Sequence, residues 1–318
     1  MSSDPSATGQ LVGRLTAAFL LDTVESGRFD RHFLDALLIT AIIQANVAPV
    51  VRDPGMQRAY GVYDEPPPDE LRQARAVSVN AIATSLRLPY ETARRRVAQM
   101  ARGGLCVITP EGVYVPNAVL TLPSHMTHAL ESYEQIRVFY VRLRRLGLAP
   151  PPSGAPFEGP PPLRAVLRLL GDYFLRSVEG LTRNVRDPVR AIMLLAILHA
   201  NTEHLPPTWR GAGGETDDAI PDALRRPVAA MTLAAQLRLP RETVRRHVER
   251  LVADRQCVRT RRGLVMTSKI LARPFWKQFA SENVGHLNRM FAGLAELGVL
   301  TAWAANSASE DNLEISVG

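Results

Sequence analysis

The stretch SVNAIATSLRLPYETARRRVAQMARGGLCVITPEGVYV, residues 78–115, decides the fold. It is written a second time, without a gap, as AAMTLAAQLRLPRETVRRHVERLVADRQCVRTRRGLVM, residues 229–266. Leu86, Glu91, Thr92, Arg94, Arg95, Val97, Cys106, Val107, Thr109 and Gly112 all recur 151 residues later. The match continues at Pro123 and Pro274, Glu131 and Glu282, Leu143 and Leu294, and Gly147 and Gly298. Upstream, LLITAIIQAN (37–46) resembles IMLLAILHAN (192–201) at an offset of 155. Similarity of this length and register implies an internal duplication, and a repeat of this kind governs every later inference about the fold.

Working outward, each copy has the same order. An apolar segment that predicts a helix (about 30–46 and 186–201) precedes a stretch containing Pro and Gly, then the repeated block, then an amphipathic helix (125–146 and 276–297). A further helix is expected at the start of each copy, near 10–26 and 163–180. The run from Ala149 to Pro162 is rich in proline and reads as a semi-rigid linker. The expected division is therefore a first domain over 1–148, a linker over 149–162 and a second domain over 163–303. A polar, acidic tail over 304–318 is expected to be disordered. The fold class is mainly α with small β wings. The inserts at 48–76 and 203–227 carry no readable role.

Within the block, Ala81 to Leu86 predicts a short helix, with Ser78 or Asn80 available as its cap and Thr232 in the second copy. Leu88 and Leu239 turn the chain, and Pro89 and Pro240 suit the first turn of a new helix. Glu91 and Glu242 fall in that turn, where the helix dipole favours negative charge. Ala93, Val97 and Met100, like Val244, Val248 and Leu251, stand at i, i+4, i+7 and form a buried stripe. What remains outward is Tyr90, Thr92, Arg94 and Arg95 in one copy and Arg241, Thr243, Arg245 and Arg246 in the other. Arg96 and His247 lie beside the stripe, where packing and phosphate contact are both open. Arginine can donate two parallel hydrogen bonds to guanine O6 and N7, and threonine can bond a phosphate or meet a thymine methyl. An apolar-Cys-Val strand then leads through a glycine turn at Gly112 or Gly263 into a second strand. The second hairpin carries Arg259, Arg261 and Arg262, whereas the first has Ile108, Pro110 and Glu111. Cys106 and Cys257 sit at the hairpin base, where thiol packing is expected before redox sensing.

The pattern Ile/Leu-Ala-x-x-Leu-x-Leu-Pro-x-x-Thr-Val/Ala-Arg-Arg, followed by the Cys-Val strand, resembles the winged helix-turn-helix regulators, close to the GntR and MarR families. The resemblance covers about 40 residues of each copy. It implies that positions Tyr90 and Arg241, Thr92 and Thr243, and Arg94 and Arg245 face DNA, and that the wing touches the backbone or minor groove. The long insert before the helix-turn-helix departs from the family's short connection.

The net charge of +7 and pI of about 9.9 favour an anionic partner. Of the 38 basic residues only Lys269 and Lys277 are lysine, a skew that GC-rich coding alone would produce. Placement separates the two explanations. Residues 76–148 carry nine Arg against four Glu, and residues 227–299 carry thirteen basic against five acidic residues, leaving the rest of the chain net negative. No phosphate-binding glycine loop, nucleophile elbow or His/Glu metal motif is present, so no enzyme activity, cofactor or metal is expected. The sequence thus points to sequence-specific binding of double-stranded DNA by a bacterial transcription regulator, cytoplasmic and nucleoid-associated, with no membrane span. A plasmid or phage replication initiator or architectural protein, and a winged-helix module for protein contacts, are the competing classes. Helices 125–146 and 276–297 are expected to form intradomain core, or the surface where the copies, or two chains of a homodimer, meet.

Overall fold

A computed structural model describes residues 5–28, 31–206, 209 and 220–305. The expected tail lies, from residue 306, outside the described residues, as do 207–208 and 210–219 of the second insert. The chain is mainly helical, with two small antiparallel hairpins. No helix among the described residues is long and apolar enough to cross a membrane.

Helices α1 (Pro5–Gly27) and α2 (Phe33–Asn46) open the chain. The insert at 48–76 folds into three short helices, α3 (Ala48–Arg52), α4 (Pro54–Ala59) and α5 (Asp69–Gln73). Then come α6 (Val79–Ser85), α7 (Tyr90–Arg102), strands β1 (Val107–Thr109) and β2 (Gly112–Tyr114), a short α8 (Asn117–Leu120) and a long α9 (Pro123–Arg145). The order is then repeated by α10 (Leu163–Val185), α11 (Pro188–Thr202), α12 (Ala230–Gln236), α13 (Arg241–Ala253), β3 (Val258–Thr260), β4 (Gly263–Val265), α14 (Ser268–Leu271) and α15 (Pro274–Glu296).

The same local devices occur at the same places in both passages. Leu88 N–H donates to the Ala83 carbonyl (2.9 Å) and Leu239 N–H to that of Ala234 (3.0 Å), which turns the chain sharply between the two helices. Arg87 (φ 53°) and Arg238 (φ 46°) take the left-handed conformation there, where glycine is usual. In each hairpin the threonine hydroxyl, Thr109 or Thr260, donates to the glycine carbonyl across the turn. A single residue ahead of the helix pair, Val77 or Val228, bridges antiparallel to Val113 or Leu264 and adds a third strand, of one rung, to each hairpin. Gly112 (φ 146°) and Gly263 (φ 141°) make that approach possible. A Cβ on Gly263 would stand 2.5 Å from the Val228 carbonyl oxygen, and one on Gly112 2.7 Å from the Val77 carbonyl carbon. Gly263→Ala is therefore expected to destabilise the chain by about 1–3 kcal/mol, the range of a strained backbone position, read as a lowered urea midpoint; an unchanged midpoint would show that the rung is dispensable.

The described chain forms two compact units, and neither coincides with a division at 149–162. The first comprises Met1–Leu38, Val79–Val97 and Phe174–Gly285; the second comprises Ile39–Ser78, Ala98–Tyr173 and His286–Gly318. The partition follows the packing of the leading helices. In the first unit α1 packs along α11, and the Arg14 guanidinium donates to the carbonyls of Thr202 (3.1 Å) and Leu205 (3.0 Å). In the second unit Arg168 of α10 donates to the carbonyls of Gln57 (3.2 Å) and Tyr60 (2.9 Å), beside α4. Arg14 and Arg168 occupy matching places, 154 residues apart, in V-x-R-L patterns. Helix α1 and the first half of α10 are thus each bonded to the other half of the sequence, while the second half of α10 bonds within its own, through Arg183 to Glu282 and Asn184 to Gln256. The proline-rich segment is packed within the second unit rather than free: Tyr140 donates to the Pro150 carbonyl (3.0 Å), and Thr301 to those of Ser153 and Gly154 (both 3.1 Å).

Each unit also contains a buried polar clamp. Asn201, fully buried, donates from Nδ2 to the carbonyls of Arg226 (2.7 Å) and Leu264 (3.1 Å) and accepts from Met266 N–H (2.9 Å). Asn46 does the same to Arg75 (2.9 Å), Val113 (3.3 Å) and Val115 (3.0 Å). The clamp joins the C-terminus of α2 or α11 to its hairpin.

The apolar faces of α9 and α15, one expected role of which was a homodimer surface, are occupied inside the chain. In the second unit Tyr140 meets Phe291 (ring centroids 5.4 Å) and Trp303 (5.9 Å), and Ile136, Leu143 and Leu294 are fully buried. In the first, Trp276 and Phe279 of α15 are buried and Asn283 donates to the Thr16 hydroxyl (3.0 Å). α9 also exposes Leu130 and Val138 on its other side.

Candidate nucleic-acid interface

Helices α7 and α13 each bury the expected stripe. Ala93, Val97 and Met100, and Val244, Val248 and Leu251, are all under 5% exposed. The opposite faces carry the arginines. Tyr90 is 51% exposed, Arg241 is exposed, and Thr92 and Thr243 are half-buried. Arg94 donates from Nε and Nη2 to both carboxylate oxygens of Glu91 (2.8 and 2.6 Å). Arg245 does so to Glu242 (2.8 and 2.6 Å) and adds a bond to Glu249 (2.6 Å). Hydrogen bonding to these guanidinium groups holds the Glu91 and Glu242 carboxyls below the usual carboxylate range. Such exposed pairs stabilise a helix little, so they orient the arginines without committing them. Arg95 and Arg246 are exposed, and their side chains make no hydrogen bond or ion pair with a described residue.

Arg96 and His247 differ from the rest. Arg96 is half-buried and donates to Asp35 (2.9 Å) of α2. His247 is half-buried with Nδ1 3.9 Å from Asp187. Burial holds its imidazole below the usual value, against the pull of Asp187. Arg96 is thus bonded inward to α2, while His247 lies beside Asp187 without a hydrogen bond to it.

Both helix pairs α6–α7 (to Val97) and α12–α13 belong to the first unit and are bonded to the same corner of the chain. Arg28 donates to the Leu237 carbonyl (3.1 Å) and pairs with Glu25 (2.6 Å), which also receives Arg238 (2.7 Å). Asp35, a few residues on, holds Arg96.

The hairpins are unequal. Arg259, Arg261 and Arg262 are exposed around Gly263, and their side chains have no described partner. The first hairpin exposes Val107 (38%), Ile108 (51%), Pro110 and Glu111. Both cysteines are buried, and burial pushes each thiol up to about 11. The thiolate, the reactive form, is therefore scarce at neutral pH, which fits packing.

Two sets of residues escaped the sequence reading. The asparagine clamp is one. The other is Pro-Asp-x-Leu-Arg, at 68–72 and again at 221–225, at an offset of 153 rather than the 151 of the repeated block. Asp69 accepts from Asn117 N–H (2.7 Å), and Asp222 from Ser268 N–H (2.7 Å), so each caps the short helix after its hairpin. No protein-family model, curated protein or solved structure matches the chain.

Proposed function

We propose that the chain binds double-stranded DNA sequence-specifically through two winged helix-turn-helix units related by duplication, and acts as a bacterial transcription regulator in the nucleoid. The observation that carries this is a doubled geometry. A short helix, a left-handed turn, an arginine-faced helix and a hairpin with a one-rung third strand recur in register, with the arginines outward in both. A helix whose first half exposes arginines beside a half-buried threonine has the size and donors to enter a major groove. The bonds from Glu25, Arg28 and Asp35 to the two helix pairs support a fixed spacing between the reading heads. One chain then does what a dimer of single-unit regulators does.

Footprinting on genomic DNA tests this directly. Two related half-sites should be protected, about 10 bp or a multiple apart, and they should differ because Tyr90 faces one and Arg241 the other. A single short protected half-site would contradict the reading, and strong bending of iterated sites would favour a replication initiator. The hairpins supply a further expectation. Every phosphate that a side chain no longer neutralises lowers the slope of log affinity against log salt by about 0.9. Arg261→Ala with Arg262→Ala should flatten that slope while Glu111→Ala does not; equal slopes for wild type and the double arginine variant would remove the second wing from the interface.

A further inference from the structure

Three arginines are buried together in the second unit: Arg72 of α5 (2% exposed), and Arg164 (7%) and Arg168 (5%) of α10. Arg164 and Arg168 stand at i and i+4, on one face of α10, and both are drawn to the segment between α4 and α5. Arg164 donates from Nε to the Tyr63 carbonyl and lies 4.6 Å from the centre of the Tyr63 ring. Arg168 donates from Nη2 to Gln57 and Tyr60. Arg72 donates from Nε to Asn117 Oδ1 (2.9 Å). These bonds leave Arg72 Nη1, Arg164 Nη2 and Arg168 Nε buried and without a hydrogen-bond partner. None of the three forms an ion pair with a described residue. They also act on one another. Burial, then the charge of Arg164, pushes Arg72 down to about 10, and burial, then Arg72 and Arg164, does the same to Arg168.

The matching place in the first unit is built differently. Arg225, the counterpart of Arg72, lies 3.3 Å from the Asp222 carboxylate. Arg14 is the counterpart of Arg168, but the sequence has Gln10 where the second unit has Arg164. The third buried cation is thus peculiar to the second unit, where Asp69, the counterpart of Asp222, caps Asn117 N–H and acts on Arg72 without forming an ion pair with it. A buried guanidinium keeps its proton and is costly without a counter-ion. Guanidinium donors of fixed geometry that are buried near enough to feel one another's charge are suited to the oxygens of an oxyanion.

We propose that Arg72, Arg164 and Arg168 form a binding site for a small oxyanion, the phosphate or carboxylate group of a low-molecular-weight ligand. The anion would lock α10 to the insert between α2 and α6, giving that insert a ligand-binding role. This site is separate from the exposed arginine faces and does not depend on the DNA-binding proposal.

Inorganic phosphate and acetate, in separate arms at constant ionic strength set with chloride, are titrated into the full chain carrying Arg261→Ala and Arg262→Ala, which removes the exposed hairpin pair. A saturable rise in Tm is expected with at least one of them, with phosphate alone indicating a tetrahedral ligand and acetate alone a carboxylate. Arg72→Gln and Arg164→Gln should each weaken the midpoint of that titration by about tenfold or more, and Arg225→Gln should leave it unchanged. A second readout needs no variant within the site: in chain labelled with 15N-arginine, the Arg168 Nε–H resonance should shift with the anion. The site is refuted if neither anion raises Tm, if Arg72→Gln and Arg225→Gln respond alike, or if only the resonances of exposed arginines move.

Discussion

Replacing Asn201 with Ala should destabilise the protein by about 3–5 kcal/mol, one of the largest effects of any single side chain outside the apolar core. The side chain is fully buried and makes three hydrogen bonds, all to backbone groups. Leu264 keeps a partner without it, because its carbonyl also accepts from Val228 N–H (3.1 Å). Met266 N–H and the Arg226 carbonyl do not share that insurance. Each group left unsatisfied in the interior costs about 1–3 kcal/mol, and the void left by the amide adds to that. Asn46→Ala should behave alike, since Val113 retains its bond from Val77 (3.0 Å) while Val115 N–H and the Arg75 carbonyl are orphaned. Urea melts give the size of the loss. Hydrogen exchange gives its place: protection should fall first at the Met266 amide in one variant and at Val115 in the other. A loss below about 1 kcal/mol in both would mean that water replaces the clamp and that the hairpins are held by their apolar neighbours alone.

The second large effect is on recognition. Arg94→Ala combined with Arg245→Ala should weaken binding to the footprinted site by about 100- to 10,000-fold, as two bidentate base contacts each contribute roughly 10- to 100-fold. Binding to unrelated DNA should change little. The single variants should account for the double within about a factor of two, because the two guanidinium groups share no partner. Glu91→Gln should tighten binding modestly by releasing Arg94, whereas Glu242→Gln should do less, because Arg245 keeps its bond to Glu249. Circular dichroism should report folded protein throughout, since neither arginine touches the stripe. Full affinity and selectivity in the double variant would show that the glutamate pairs are the arginines' whole role and that α7 and α13 present only a solvated face.

Much of the architecture was legible in the sequence because it is local. The stripes Ala93, Val97, Met100 and Val244, Val248, Leu251 are a matter of helical spacing, and both are buried. Helices expected at 125–146 and 276–297 span Pro123–Arg145 and Pro274–Glu296. The glycine turns fall at Gly112 and Gly263, where only a residue without Cβ tolerates the approach of Val77 or Val228. The outward placement of Arg94, Arg95, Arg245 and Arg246 follows from the same periodicity.

What spacing cannot convey is which distant backbone group a polar side chain will meet. Arg96 sits one residue after two exposed arginines, yet Asp35, 61 residues away, draws it inward. The trailing helices were open between internal core and an outer surface, because an apolar face does not name what covers it; Phe291 and Trp303 cover that of α9 in the second unit. Asn46 and Asn201 end apolar helices and read as boundary residues until the hairpin carbonyls arrive beside them. By itself the sequence determined the elements, their repetition and their exposed charge, since these depend on neighbours within a few turns. The partners of the leading helices, the two clamps and the buried arginine cluster were decided by the tertiary structure, because each is made by groups that only the folded chain brings close together.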